Sequence, residues 1–111
     1  MYLPQAKVYK GSAAIGPCIL VTDQPLPRDT EIKLEVIRDS NLIFSDTITI
    51  DQIKRELNEL VKYLYAEYDF QSGSFLMTGT GIVPGSDFTL ASKDVVKIQI
   101  SGIGTLINPV E

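Results

Sequence analysis

The sequence contains no histidine and no tryptophan, and it has a single cysteine. Without histidine, neither a Ser-His-Asp nor a Cys-His catalytic arrangement can form within the chain. Histidine-ligated metal is excluded for the same reason. With Cys18 alone, no internal disulfide and no cysteine-based zinc site is available. A metal here would need oxygen ligands, which points to Mg²⁺, Ca²⁺ or Mn²⁺. No apolar run approaches the roughly 18 residues that suggest a membrane span. The N-terminus lacks a basic stretch followed by an apolar one, so no signal peptide is visible and a cytoplasmic location is expected. No cluster of Lys and Arg interleaved with aromatics occurs, and the formal net charge is −4. Phosphate backbones and anionic lipid surfaces call for concentrated positive charge, so neither nucleic acid nor a membrane is an expected partner.

What is present fits one compact unit. The chain has 111 residues and is 44% hydrophobic, too apolar for a disordered segment. A single domain over 1–111 is expected, and a folded chain of this size buries roughly 65% of its unfolded surface. Met1 to Gly16 has no clear period and reads as loop with short extended pieces. Pro17 to Thr22 reads as a buried strand, with Cys18 as a structural thiol inside it. Glu31 to Arg38 alternates, with Ile32, Leu34 and Val36 on one face and Glu31, Lys33 and Glu35 on the other. Asp39-Ser40-Asn41 is a turn signal, and Leu42 to Ile50 is the return strand of a hairpin. Leu57, Leu60, Val61 and Leu64 then recur at helical spacing, predicting a helix from about Glu56 to Tyr68. Phe75 to Met77 reads as a short strand. Asp94 to Ile100 alternates again, and Thr105 to Val110 returns, with Pro109 suggesting a sheet edge. Six short strands and one helix imply a mainly β fold (α+β), a curved mixed sheet or partial β-barrel.

Few residues are candidates for chemistry. Lys7 lies in a stretch with little charge around it. Its ammonium could neutralise negative charge developing on an oxygen or anchor a carboxylate; it could equally be a solvated surface lysine. In Thr78-Gly79-Thr80-Gly81, glycines allow close backbone approach to a ligand, and threonine hydroxyls and backbone N–H groups could hold a carboxylate or enolate oxygen. The same residues also make an ordinary tight turn. Glu31 with Glu35, and Glu56 with Glu59, are paired carboxylates. Lys33 and Lys62 interleave with them, as on a solvated face, and no convergent set of three carboxylates is found.

Taken together, these segments resemble one family. The run from Lys7-Val8-Tyr9-Lys10-Gly11 to Gly16-Pro17-Cys18-Ile19 resembles the lysine-to-Gly-Pro segment of the fumarylacetoacetate hydrolase family. Phe75-Leu76-Met77-Thr78-Gly79-Thr80-Gly81 resembles its Thr-Gly-Thr loop. Asp94 to Ile98 with Gly102 to Val110 resembles its closing hairpin. The order and spacing of all three agree over essentially the whole chain. Tyr2 to Tyr9 and Thr78 to Pro84 look most like the branch that includes 2-keto-3-deoxy sugar-acid dehydratases. Gly81 stands where many hydrolase members have Pro, and Gly11 where many have Thr.

The resemblance implies the C-terminal portion of a longer catalytic domain. The complete enzyme would be a Mg²⁺-dependent (or Mn²⁺- or Ca²⁺-dependent) dehydratase or hydrolase acting on a 2-keto acid through an enolate. By resemblance Lys7 is catalytic and offsets the oxyanion charge. Thr78, Gly79 and Thr80 bind substrate, with Thr80 and the backbone around Gly79 holding the substrate carboxylate. The family's metal ligands, a Glu-x-Glu pair and a later aspartate, lie before the segment matching Leu3 to Lys7. No metal ligand is therefore assigned here, no metal is expected on this chain alone, and the chain alone is expected to be inactive. A non-catalytic β module and one half of a split enzyme remain the alternatives. Bared strand edges predict a homo-oligomer.

Overall fold

The computed structural model describes residues 7–111. The part of the reading that rests on Tyr2 to Ala6 lies outside them. Four strands form one open sheet in the order β2-β1-β3-β4: β1 is Glu31–Arg38, β2 Asn41–Thr49, β3 Val95–Ile100 and β4 Gly104–Pro109. Among the elements formed wholly by described residues there is one α-helix, α1, which spans Leu57–Leu64 between β2 and β3. The mainly β class with a single helix is as the sequence predicts. Every strand pairing is antiparallel.

Alternation explains the sheet. In β1 the pairings Ile32↔Ile48, Leu34↔Ile98 and Val36↔Phe44 place apolar residues on one face, while Lys33 and Glu35 pair with each other at 2.9 Å on the opposite one. Asp39 and Ser40 turn β1 into β2 with φ of 48° and 66°, the left-handed pair that matches the twist of a two-residue hairpin. A register shift between Val36 and Ile37 bends the strand there. Pro109 closes β4, which is an edge strand as expected.

The stretch from Ile82 to Ala91 lies over the apolar face. Ile82 is buried, and Phe88 stacks on Phe44 at 5.4 Å between ring centroids. Beneath Phe88 and Leu90 an apolar groove of about 400 Å³ reaches Leu34, Val36 and Val96. The far end of this stretch is stapled electrostatically. Asp94 is fully buried and accepts two hydrogen bonds from the Arg38 guanidinium, each 2.8 Å, plus one from the Ala91 N–H at 2.8 Å. Arg38 also donates to the Thr89 carbonyl at 3.0 Å. These bonds hold the Asp94 carboxyl well below its usual range, at about 2, the Arg38 hydrogen bonds contributing most.

Three expectations need correction. Pro17–Thr22 and Phe75–Met77 are not strands. Cys18 is exposed rather than buried, and Ile19 and Val21 are 69% and 88% accessible. Pro17 and Cys18 lie against the start of β4, where a Cβ on Gly104 would meet Pro17 at 3.2 Å and the Cys18 thiol faces the Ile103 carbonyl at 3.5 Å. An apolar run becomes a buried strand only when something covers it, and no described element does. The helix also ends early, at Leu64. Tyr65 leaves the helix and takes Phe70 edge-on at 5.4 Å, while Tyr68 packs on the same ring at 4.8 Å; that aromatic cluster requires the chain to turn back.

The same exposure is visible in the total surface area. The chain exposes 9297 Å² for 12.2 kDa, where a folded monomer of that mass exposes about 6,100 Å². Only about half of the unfolded surface, roughly 17,700 Å², is buried. Among the described residues, Val36 and Ile82 are the only buried hydrophobic side chains.

Candidate functional site

The Thr78–Gly81 loop sits where the sheet's apolar face meets the end of β2. A Cβ on Gly81 would stand 2.7 Å from the Ile48 Cδ1 methyl. The absence of a side chain at Gly81 is what allows the loop to close onto β2. Gly79 has φ of +114° with open space around it, a conformation that L residues rarely adopt. The Thr80 hydroxyl donates to the Ile82 carbonyl at 3.1 Å and accepts the Ile82 N–H at 3.3 Å. Thr80 thus locks the exit of its own loop.

Beside this loop is a cleft of about 390 Å³. Its lining combines all four residues Thr78 to Gly81 with Gln52, Lys54 and Arg55 from the connection between β2 and α1. No carboxylate lines it. The nearby acids are engaged elsewhere: Glu56 is held by Arg28 at 3.3 Å, and Asp51 accepts a hydrogen bond from the Thr49 hydroxyl. Sequence reading missed Lys54 and Arg55. Both precede the helix, and the connection from β2 brings them to the loop.

Of the residues singled out from sequence, Thr78, Gly79 and Thr80 share this cleft. Lys7 is exposed and does not line it. Among the described residues no group of three or more His, Cys, Asp or Glu is placed to hold a metal ion, so these residues do not fit a Mg²⁺ centre. Among them, too, no helix is long and apolar enough to cross a membrane.

The profile of the fumarylacetoacetate (FAA) hydrolase C-terminal family matches residues 2–111. The chain belongs to the fumarylacetoacetate hydrolase family. It is 39% identical, over its full length, to 2-dehydro-3-deoxy-D-arabinonate dehydratase of Saccharolobus solfataricus, and covers 38% of that protein. It is 38% identical over 99% of its length to a probable 2-keto-3-deoxyxylonate dehydratase of Haloferax volcanii, again covering 38% of it. The fold of this family member superposes on 2-keto-3-deoxy-D-arabinonate dehydratase complexed with magnesium and 2,5-dioxopentanoate with a TM-score of 0.94, at 40% identity, covering 99% of this chain and 40% of that one. The apo form of the same dehydratase gives a TM-score of 0.94 as well. The chain therefore spans well under half the length of the relatives it matches. The fold is the C-terminal one of the fumarylacetoacetate hydrolase family, as the resemblance implied.

Proposed function

We propose that these 111 residues form a single domain, the C-terminal portion of a cytoplasmic, homo-oligomeric, magnesium-dependent dehydratase acting on a 2-keto-3-deoxy sugar acid. The observation that carries this reading is the Thr78–Gly81 loop, opening on a cleft in a chain similar along its whole length to such dehydratases. The described residues lack a carboxylate cluster, so the metal ligands belong to polypeptide beyond them. This chain's own part is confined to charge and hydrogen bonding. Lys7 supplies a cation beside the 2-keto oxygen, where negative charge develops as the C–H bond breaks. Thr80 and the backbone around Gly79 hold the substrate carboxylate.

The test is turnover of 2-keto-3-deoxy-D-arabinonate. The chain by itself with added Mg²⁺ is expected to be inactive. A protein joining this chain to the family's upstream carboxylates is expected to dehydrate the substrate, and Lys7→Ala in that protein to lower kcat by about 10²–10³-fold. An unchanged kcat would remove Lys7 from the chemistry. Mg²⁺ held tightly by the 111-residue chain alone would overturn the division of labour.

A further inference from the structure

The charge lining the cleft beside Thr78–Gly81 is opposite in sign to the chain's net charge. The chain carries 14 acidic against 10 basic residues. Yet this cleft is lined by two cations, Lys54 and Arg55, and by no carboxylate. Among the described residues neither cation has an ion-pair partner. Their sequence neighbour Glu56 is drawn off by Arg28 at 3.3 Å, and Asp51 is occupied by the Thr49 hydroxyl. The arrangement leaves positive charge in the cleft that the Thr78–Gly81 loop lines.

Of the loop's two hydroxyls, that of Thr80 is committed. The Thr80 proton is directed at the Ile82 carbonyl, and its oxygen accepts the Ile82 N–H. To donate to a ligand, Thr80 would have to surrender a bond that shapes the loop. The other side-chain donors lining the cleft are those of Thr78, Gln52, Lys54 and Arg55, and of these only Lys54 and Arg55 carry charge. A guanidinium offers a planar fork matched to a carboxylate, and charge-assisted hydrogen bonds are about twice as strong as neutral ones.

We propose that Lys54 and Arg55 are specificity-determining residues that recognise the carboxylate of a 2-keto acid at the Thr78–Gly81 loop. The inference rests on the reading of that loop as the carboxylate site. In it, the loop supplies shape and backbone donors, and the two cations supply the discrimination between an anionic substrate and its neutral analogue. Thr80 shapes the loop through its bonds to Ile82 while lining the same cleft.

The experiment is an amide-resolved NMR titration of the ¹⁵N-labelled chain with pyruvate and with its neutral amide, pyruvamide, at low and high sodium chloride. Pyruvate is expected to shift the amides of Gly79, Thr80 and Gly81, pyruvamide much less, and salt to weaken the pyruvate response. In Lys54→Ala/Arg55→Ala, pyruvate affinity should fall by about tenfold or more and the preference over pyruvamide should vanish. Arg55→Lys should keep part of both. Both side chains are exposed, so an unchanged spectrum outside the cleft shows that the variant has folded. Loop shifts that persist with equal affinity in the double variant overturn this inference and leave the carboxylate reading of the loop standing. Absence of any pyruvate response at the loop in the unaltered chain overturns both.

Discussion

At the scale of single residues, the fully buried charge is the informative one. Asp94 has no access to water, and its cost of burial is offset by the two Arg38 bonds and the Ala91 N–H. Its folded pKa, about 2, lies below its ordinary 3.8. A carboxylate depressed in this way contributes stability at pH values above the unfolded pKa, and that contribution is lost as pH falls through the folded one. Resistance of the chain to urea should therefore fall as pH drops from about 4 to about 2. Asp94→Asn should be less stable at neutral pH and should show a flatter acid limb; parallel pH profiles for the two proteins would contradict the assignment. Gly79 offers a second test. With φ of +114° and nothing near its missing Cβ, Gly79→Ala introduces backbone strain of about 1–3 kcal/mol without a clash. The strain is confined to an exposed loop, so amide shifts of residues 78–81 should move while the β-sheet amides stay in place. A shift propagated through β1 and β3 would show instead that the loop is part of the sheet's cooperative unit.

At the scale of elements, what was legible depended on whether a segment's partners lie close in sequence. The β1–β2 hairpin was readable because its alternation and its Asp39-Ser40 turn are local signals, and β1 spans Glu31–Arg38 as read. The same logic yields a stabilising substitution. Ser40 sits at φ of 66°, where an L residue is disfavoured by roughly 1–2 kcal/mol relative to its ordinary conformations. Ser40→Gly should raise thermal stability by up to about 1 kcal/mol, read as a higher Tm with unchanged sheet amides. A lower Tm would mean that Ser40 makes a compensating contact. Pro17–Thr22 was misread for the opposite reason. Its apolar run has strand composition, but a strand needs a neighbour to pair with, and composition carries no information on that neighbour. In the candidate site, Thr78 to Gly81 could be picked out because two glycines and two threonines stand together. Lys54 and Arg55 could not, because only the path of the chain from β2 into α1 brings them to that loop.

At the scale of the whole molecule, surface area sets how much cover the apolar face would need. The chain exposes 9297 Å², roughly 3,200 Å² more than a folded monomer of its mass. Even fully solvated, six terminal residues outside the described span would account for roughly 1,000 Å². A standard protein–protein interface removes about 800 Å² from each partner. Pairing with one second copy would therefore cover only part of the excess, whereas the longer enzyme domain proposed above, with the chain spanning 38% of its relatives, would supply cover on the needed scale. The isolated chain should behave accordingly. It presents free edges at β2 and β4 and exposed Ile19, Val21, Phe75 and Met77, so it should form dimers or larger species at micromolar concentration. Association driven by apolar burial should strengthen in sulfate, which is excluded from protein surface. Light scattering with and without ammonium sulfate reads both effects. A monomer at micromolar concentration that is indifferent to sulfate would mean that the apolar face closes on itself in solution. The incomplete core would then be wrong, and with it the view that this fold waits for the rest of its enzyme.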